Sequence, residues 1–299
     1  MIKGLAITPP VLGRISIGRV IEKNGKRLPE KDDQFTLTSQ VQNRDGWLLH
    51  PLDEALRQQA GGKLRSLPVR LLFNDPSLNL RADFNLFDRA TGRPLCVGNG
   101  ESCRRVGQDG IETLSCPGPE GCRFAEGQCK PYARFNVRIG EEDETGTFVL
   151  RTTSFNTIRT LAARLLYFQA VSGGVLACLP LELKLRGKST TQSHRTPIFY
   201  VDLVIRSGMT LEQAITEARR LDGERKQAGF DQAALDEAAR QGFANGAFEE
   251  LEEDVPAVVE EFFPASNEAN ANATSAPTLA RPLRLAGRLN DKVAQLGDA

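Results

Sequence analysis

Five of the six cysteines fall between Cys96 and Cys129, in the order Cys96-x6-Cys103-x12-Cys116-x5-Cys122-x6-Cys129. Thiolates are the soft donors that select zinc and its neighbours among metal ions. The stretch from Cys116 to Cys129 reads Cys-Pro-Gly-Pro-Glu-Gly-Cys-Arg-Phe-Ala-Glu-Gly-Gln-Cys and carries too few apolar side chains for a core of its own. Converging thiolates would hold such a loop, since four of them complete a tetrahedral shell around zinc at about 2.3 Å each. Pro117, Gly118, Pro119, Gly121 and Gly127 supply turns that could aim the thiols inward. Cys116, Cys122 and Cys129 are the firm ligands, and either Cys96 or Cys103 is the fourth. Cys96 is favoured because it ends a strand-like run, whereas Cys103 sits beside Arg104 and Arg105 in a polar turn. No CxxC pair is present, so the spacing departs from common ribbons and fingers, and the bland reading is a set of free thiols. Cys178, in an apolar stretch, reads as a core residue.

A catalytic zinc keeps an open position and usually takes His or carboxylate ligands. The two histidines, His50 and His194, lie outside any ligand motif, and His-Glu-x-x-His is absent. The expectation is one structural zinc, no catalytic residue and no enzyme. A phosphate loop and a Gly-x-Ser-x-Gly elbow are also missing. A basic loop with Lys184, Arg186, Lys188 and Arg195 reads first as a solvated hairpin tip and second as a phosphate contact.

The elements that must position the cysteines are mostly strands. Residues 11–21 and 34–41 alternate loosely, Leu67–Phe73 and Ala82–Phe87 are short strand-like runs, and Asn74-Asp75-Pro76 separates these two with a turn. After the cysteines, Phe135, Val137 and Ile139 alternate on one face of a strand from Tyr132 to Ile139, and Gly146–Thr152 pairs with it. Ser154 caps a helix whose Ile158, Leu161, Leu165 and Phe168 share a face, and Gly173-Gly174 ends it. Leu181–Leu185 and Ile198–Ile205 read as strands, Thr210 and Gln213 as a capping box opening a helix to about Leu221, and Gln232–Phe243 as a further helix. The fold class expected is α+β, mainly antiparallel strands with a few helices and a zinc-braced knuckle at 94–131 within a body at 1–245.

Net charge is zero, but it is unevenly spread. Ten of the 38 acids and four of the 38 Lys and Arg fall in residues 246–299, which leaves the body mildly basic at +6. A basic body is compatible with nucleic acid and does not require it. The acidic tail at 246–299 is expected to be largely disordered, with a linker at 265–276 and a short terminal helix at 279–296. Its Val255–Pro264 stretch suits either a peptide that docks on a partner or apolar cover for the body. Without a leader or an apolar span, a cytoplasmic protein with no membrane contact is the expectation, and there clustered cysteines bind metal more often than they bridge.

Three stretches together resemble the phage recombination directionality factors that act on large serine integrases. They are Cys96-Val-Gly-Asn-Gly100 with Arg104-Arg105, Cys116-Pro117 through Cys122 to Cys129-Lys130-Pro131, and Gly146-Thr-Phe-Val-Leu-Arg-Thr-Thr-Ser-Phe-Asn156. Mobile-element homologues carry the loose label "hydrolase or metal-binding protein". The resemblance spans about residues 10–210. It implies a regulator that binds the DNA-bound integrase and shifts it toward excision of attL and attR, with no catalytic residue. It implies a metal role for Cys96, Cys116, Cys122 and Cys129, and gives Cys103 no counterpart. A different class remains open: a nucleic-acid-binding accessory protein that contacts DNA directly. A zinc-dependent hydrolase is the third.

Overall fold

The computed structural model describes residues 10–23, 26–44, 46–140, 146–189, 197–245 and 255–263. Its architecture is α+β with mostly antiparallel strands. The chain opens with β1 (Val11–Lys23), β2 (Lys26–Asn43) and β3 (Gly46–Leu49), then α1 (Pro51–Ala60), β4 (Ser66–Val69) and a single turn, α2 (Pro76–Asn79). Next come β5 (Leu80–Phe87), β6 (Pro94–Gly98), β7 (Ser102–Gly107), β8 (Gly110–Ser115), the turn α3 (Gly118–Gly121), β9 (Lys130–Val137) and β10 (Thr147–Thr152). The rest is α4 (Phe155–Ser172), β11 (Leu181–Lys188), β12 (Ile198–Ile205), α5 (Leu211–Gln227), α6 (Gln232–Asn245) and α7 (Val255–Phe262).

Nine strands form one sheet in the order β3-β2-β1-β10-β9-β5-β6-β7-β8, and three form a second, β12-β11-β4. Only β1 with β10 is a parallel pair among the described strands. The expected hairpin is present, with Phe148 opposite Val137 and Leu150 opposite Phe135. The alternation of β9 turns Phe135 and Val137 into the core, where Phe35, Leu37, Phe148 and Leu150 join them. Leu67, Val69, Leu181, Leu183, Val201 and Leu203 of the small sheet close the same core, together with Leu161 and Leu165 of α4. A side chain at Gly13 would lie 2.6 Å from the Thr38 carbonyl and 2.7 Å from the Phe148 ring, so only glycine lets β1 bend over this core.

The helices follow their local signals. Ser154 accepts from the Thr157 N–H at the start of α4, Gly173 ends it in the left-handed conformation, and its expected apolar face is buried. Thr210 and Gln213 make the capping box of α5. That helix runs past Leu221 to Gln227, sustained by the i,i+4 pairs Arg220–Glu224 and Lys226–Asp222. Leu67–Phe73 is shorter than expected, since β4 stops at Val69 and Asp75 caps α2 rather than forming a bare turn. Cys178 is buried as expected.

Helix α1 has no counterpart in the pattern read above. Its cap is His50, whose Nδ1 accepts from the Leu52 N–H at 3.2 Å. Buried Asp53 ties it to β2: one carboxylate oxygen accepts from the Leu37 N–H at 2.8 Å, the other from Arg57 Nε at 2.6 Å. Asp53→Ala would leave that N–H without its acceptor and strip the Arg57 guanidinium of its carboxylate, leaving it the Gln34 side chain and the Phe35 carbonyl. The expected loss is about 3 kcal/mol in urea unfolding; a loss below about 1 kcal/mol would show that water replaces the carboxylate.

Of the two readings of Val255–Pro264, the structure has the second. Val258 and Phe262 of α7 are fully buried against Phe87 and Tyr132, Lys130 Nζ donates to the Phe262 carbonyl at 3.0 Å, and the Thr153 N–H donates to Glu261 Oε1. The linker at 265–276, the helix expected at 279–296, His194 and Arg195 fall outside the described residues. Among the described residues no helix is long and apolar enough to cross a membrane.

Candidate metal centre

The segment read as a cysteine loop is largely strand. Cys96 lies in β6 and Cys103 in β7, not in a polar turn, because Val97 pairs with Arg104 and Gly98 with Cys103. Asn99 makes the reversal between the two strands, its Oδ1 accepting from the N–H groups of Glu101 and Ser102. β8 then returns beside β7, and the Cys116 N–H donates to the Glu101 carbonyl at 2.9 Å, which fixes the third cysteine against the β6–β7 turn. From there α3 carries the chain to Cys122, and a tight turn closed by the Gln128 N–H on the Ala125 carbonyl delivers Cys129 to the start of β9.

These paths bring all five thiols to one small cluster, with Leu86, Leu95 and Ala125 packed around them. They line an enclosed cavity of about 10 Å³, bounded also by Phe84, Gly98 and Phe124. That is roughly one water-sized sphere, the scale of a single ion rather than a substrate. Gly98 is what permits the approach: a Cβ there would meet Cys103 Cβ at 2.7 Å and Cys116 Sγ at 2.9 Å. Among the described residues no group of three or more His, Cys, Asp or Glu side chains is arranged so that it could hold a metal ion. The donor set nevertheless fits a thiophilic ion in number and softness.

The electrostatics show what the cluster lacks. Burial, then the neighbouring Cys122, Cys96, Cys116 and Cys103, push the Cys129 thiol up to about 12. Burial and the Cys96 thiol push Cys103 up to about 11. Arg105 faces the thiols, stacked 3.9 Å over the Phe124 ring, with Nη2 at 4.0 Å from Cys122 Sγ. Without an ion the Cys103 and Cys129 thiols are neutral near pH 7, and a metal bound by either must displace its proton. The sign for metal-free protein follows. The folded Cys129 pKa exceeds its ordinary 9.0, so its contribution to stability is intact below pH 9 and is lost as pH rises toward about 12. Metal-free protein is therefore expected to melt at progressively lower temperature above pH 9; a melting temperature flat through that range would contradict the half-buried placement of Cys129 among the other thiols.

Cys103 is buried in the same cluster and faces Cys96 and Cys116. Cys103 Sγ lies 3.8 Å from the Ser115 carbonyl on the strand beside it, and Cys103 comes last among the four cysteines acting on Cys129. Cys96, Cys116 and Cys122 act on it more strongly. Cys178 is far along the chain in the main core, with its pKa raised by burial, and takes no part.

A second feature went unread in the sequence. The face of the large sheet opposite the core carries Arg81, Arg134 and Arg151 side by side on β5, β9 and β10, with Arg14 and Arg138 on the same face. The signal was present as alternation, because Arg134, Asn136 and Arg138 interleave with the core residues Phe135 and Val137.

Residues 12–206, which include the whole cysteine segment, match the model of a family described as Gp3-like: recombination directionality factor-like. No curated protein and no solved structure matches the chain.

Proposed function

Since the chain belongs to the Gp3-like, recombination directionality factor-like family, we propose that it is a zinc-braced, non-enzymatic regulator of site-specific DNA recombination on a mobile element. It acts by binding a serine integrase and favouring the assembly that excises over the one that integrates. The observation that carries this reading is the extent of the match, which takes in both sheets and all five clustered cysteines. Cys96, Cys116, Cys122 and Cys129 hold one zinc, with Cys103 beside them as the fifth thiol. The ion's role is to brace: it ties β6, the α3 turn and the start of β9 into one rigid knuckle. Four thiolates and zinc carry a net charge of −2, which Arg105 partly offsets. No open coordination position is needed, and the cavity holds no more than the ion. The test is co-purification of the full chain with a large serine integrase from the same genome. Stable association supports the reading, and its absence at all salt concentrations would count against it.

A second reading, direct contact with DNA, draws on Arg81 and Arg134 of that sheet face, which are partly exposed, whereas Arg14, Arg138 and Arg151 are buried. The salt dependence of duplex binding separates the two: a steep loss of affinity with salt in the absence of integrase favours direct contact.

A further inference from the structure

The small sheet turns one face to the core, filled by Leu181, Leu183, Val201 and Leu203. Strand alternation puts Lys184, Arg186 and Lys188 of β11 on the other face, with Asp202, Tyr200 and Ile198 of β12 opposite them. β4 borders β11 only as far as Lys184. Beyond it the two strands continue as a two-stranded arm on which Arg186, Lys188 and Ile198 are exposed. No Asp or Glu falls between Glu182 and Asp202 in the sequence.

Two arginines converge here on one buried carboxylate. Asp202 Oδ1 accepts from Arg164 Nε of α4 at 3.0 Å, and Oδ2 accepts from Arg186 Nε at 3.3 Å. The two arginine side chains nevertheless stay 47% and 45% exposed. A guanidinium that turns its Nε inward keeps its Nη groups for outward contact, and these can bond two oxygens of a phosphate. Among the described residues the Nη groups of Arg164 and Arg186 have no other acceptor. Exposed ion pairs stabilise a fold little. What Asp202 does fix is the position of two guanidiniums side by side. Glu182, the other acid on this face, is buried and accepts from the Ser207 N–H.

We propose that Arg164 and Arg186, positioned by Asp202, bind phosphate groups of duplex DNA, and that Lys184 and Lys188 extend the contact along the arm. The three bases of β11 recur every second residue, about 6.7 Å apart on an extended strand. An evenly stepped row of cations suits a polymer that carries one negative charge per unit, and a two-stranded ribbon fits the major groove. Contacts to phosphate set position rather than sequence preference. The inference rests on the second reading, direct contact with DNA, and moves that contact from the large sheet to the small one.

Fluorescence anisotropy of a labelled duplex titrated with the full chain, from about 50 to 200 mM salt, gives the test. Arg164→Gln and Arg186→Gln each leave Asp202 one arginine and one amide donor, so the fold is kept. Each is expected to weaken binding at least about fivefold at the lower salt, and to make the slope of log K against log salt shallower by about one. Asp202→Asn raises the net charge by one, so charge attraction by itself would tighten binding. The proposal expects it to weaken binding, because the guanidiniums lose their anchor. Wild-type protein that binds no duplex at the lower salt would overturn the site together with the DNA reading. Wild-type binding that persists unchanged in both arginine variants, or that tightens in Asp202→Asn, would overturn the site and leave the DNA reading standing. Weakening confined to Arg81→Gln and Arg134→Gln would return the contact to the large sheet. Arginine variants that keep duplex binding and lose the integrase would make the face a protein contact, and the proposal would fall.

Discussion

Cys129→Ser is expected to leave the protein without retained zinc and with the knuckle between β6 and β9 unfolded. The apolar support for this region is slight, being Leu86, Leu95 and Ala125 around the thiols. Such a cluster cannot repay the ordering of more than thirty residues at about 1–2 kcal/mol each. Zinc binding to a structural thiolate site supplies on the order of 10 kcal/mol or more. Removing one of four ligands withdraws most of that. Cys116→Ser and Cys122→Ser should behave alike, and Cys96→Ser should join them. Cys103→Ser should retain the metal, because that thiol lies 3.8 Å from the Ser115 carbonyl, an acceptor a serine hydroxyl can also use. Zinc-to-protein ratio after gel filtration, read beside the circular dichroism spectrum, checks the series. Loss in Cys103→Ser with retention in Cys96→Ser would exchange the fourth ligand. Retention in all five variants would remove the site.

Phe262→Ala should destabilise the whole protein rather than free a terminal segment. Phe262 is fully buried, with its ring in edge-on contact with Phe87 at 4.9 Å and Phe263 at 4.9 Å, and with Tyr132 near by. Lys130, one residue beyond Cys129, bonds to its carbonyl and lies 5.1 Å from its ring. Truncation leaves a cavity lined by Phe87 and Tyr132, at a cost of about 3 kcal/mol. An eight-residue helix is not stable by itself, so α7 folds only as part of the body and the cost of the cavity falls on the body's stability. Urea midpoints of wild type and variant give the measurement. An unchanged midpoint would mean that α7 contributes nothing to the body.

The sequence made some elements legible and hid others for physical reasons. β9 could be read because Phe135, Val137 and Ile139 contrast with the polar residues between them, and α4 because its four buried residues follow helical spacing between a serine cap and a glycine stop. β7 and β8 were hidden inside the cysteine segment. An edge hairpin with no residue of β8 buried carries no hydrophobic alternation to read. α1 escaped because its apolar support is Leu52 and Leu56 and its cap is a histidine rather than Ser, Thr, Asp or Asn. In α7 the i, i+3, i+4, i+7 spacing of Val255, Val258, Val259 and Phe262 was available, but the acidic surroundings masked it. The parallel pairing of β1 with β10 joins residues far apart along the chain, and no local pattern encodes it. For the candidate site, the cysteine spacing pointed to a shared cluster, and the fold does gather all five thiols. What spacing could not convey was the device that gathers them, a three-strand extension of the large sheet with glycine at position 98.

These placements bear on function through rigidity. The knuckle extends one end of the sheet, and α7 locks the adjoining Phe87–Tyr132 surface to Lys130. A regulator that selects one assembly of its partner needs a surface that does not adapt to the other. The direct test is an excision assay: purified integrase on attL and attR substrates, with and without the full chain. The protein is predicted to raise excised product from near background to a major fraction, and Cys129→Ser to fail. A yield unchanged by the wild-type protein, at concentrations where it binds the integrase, would contradict the proposed role.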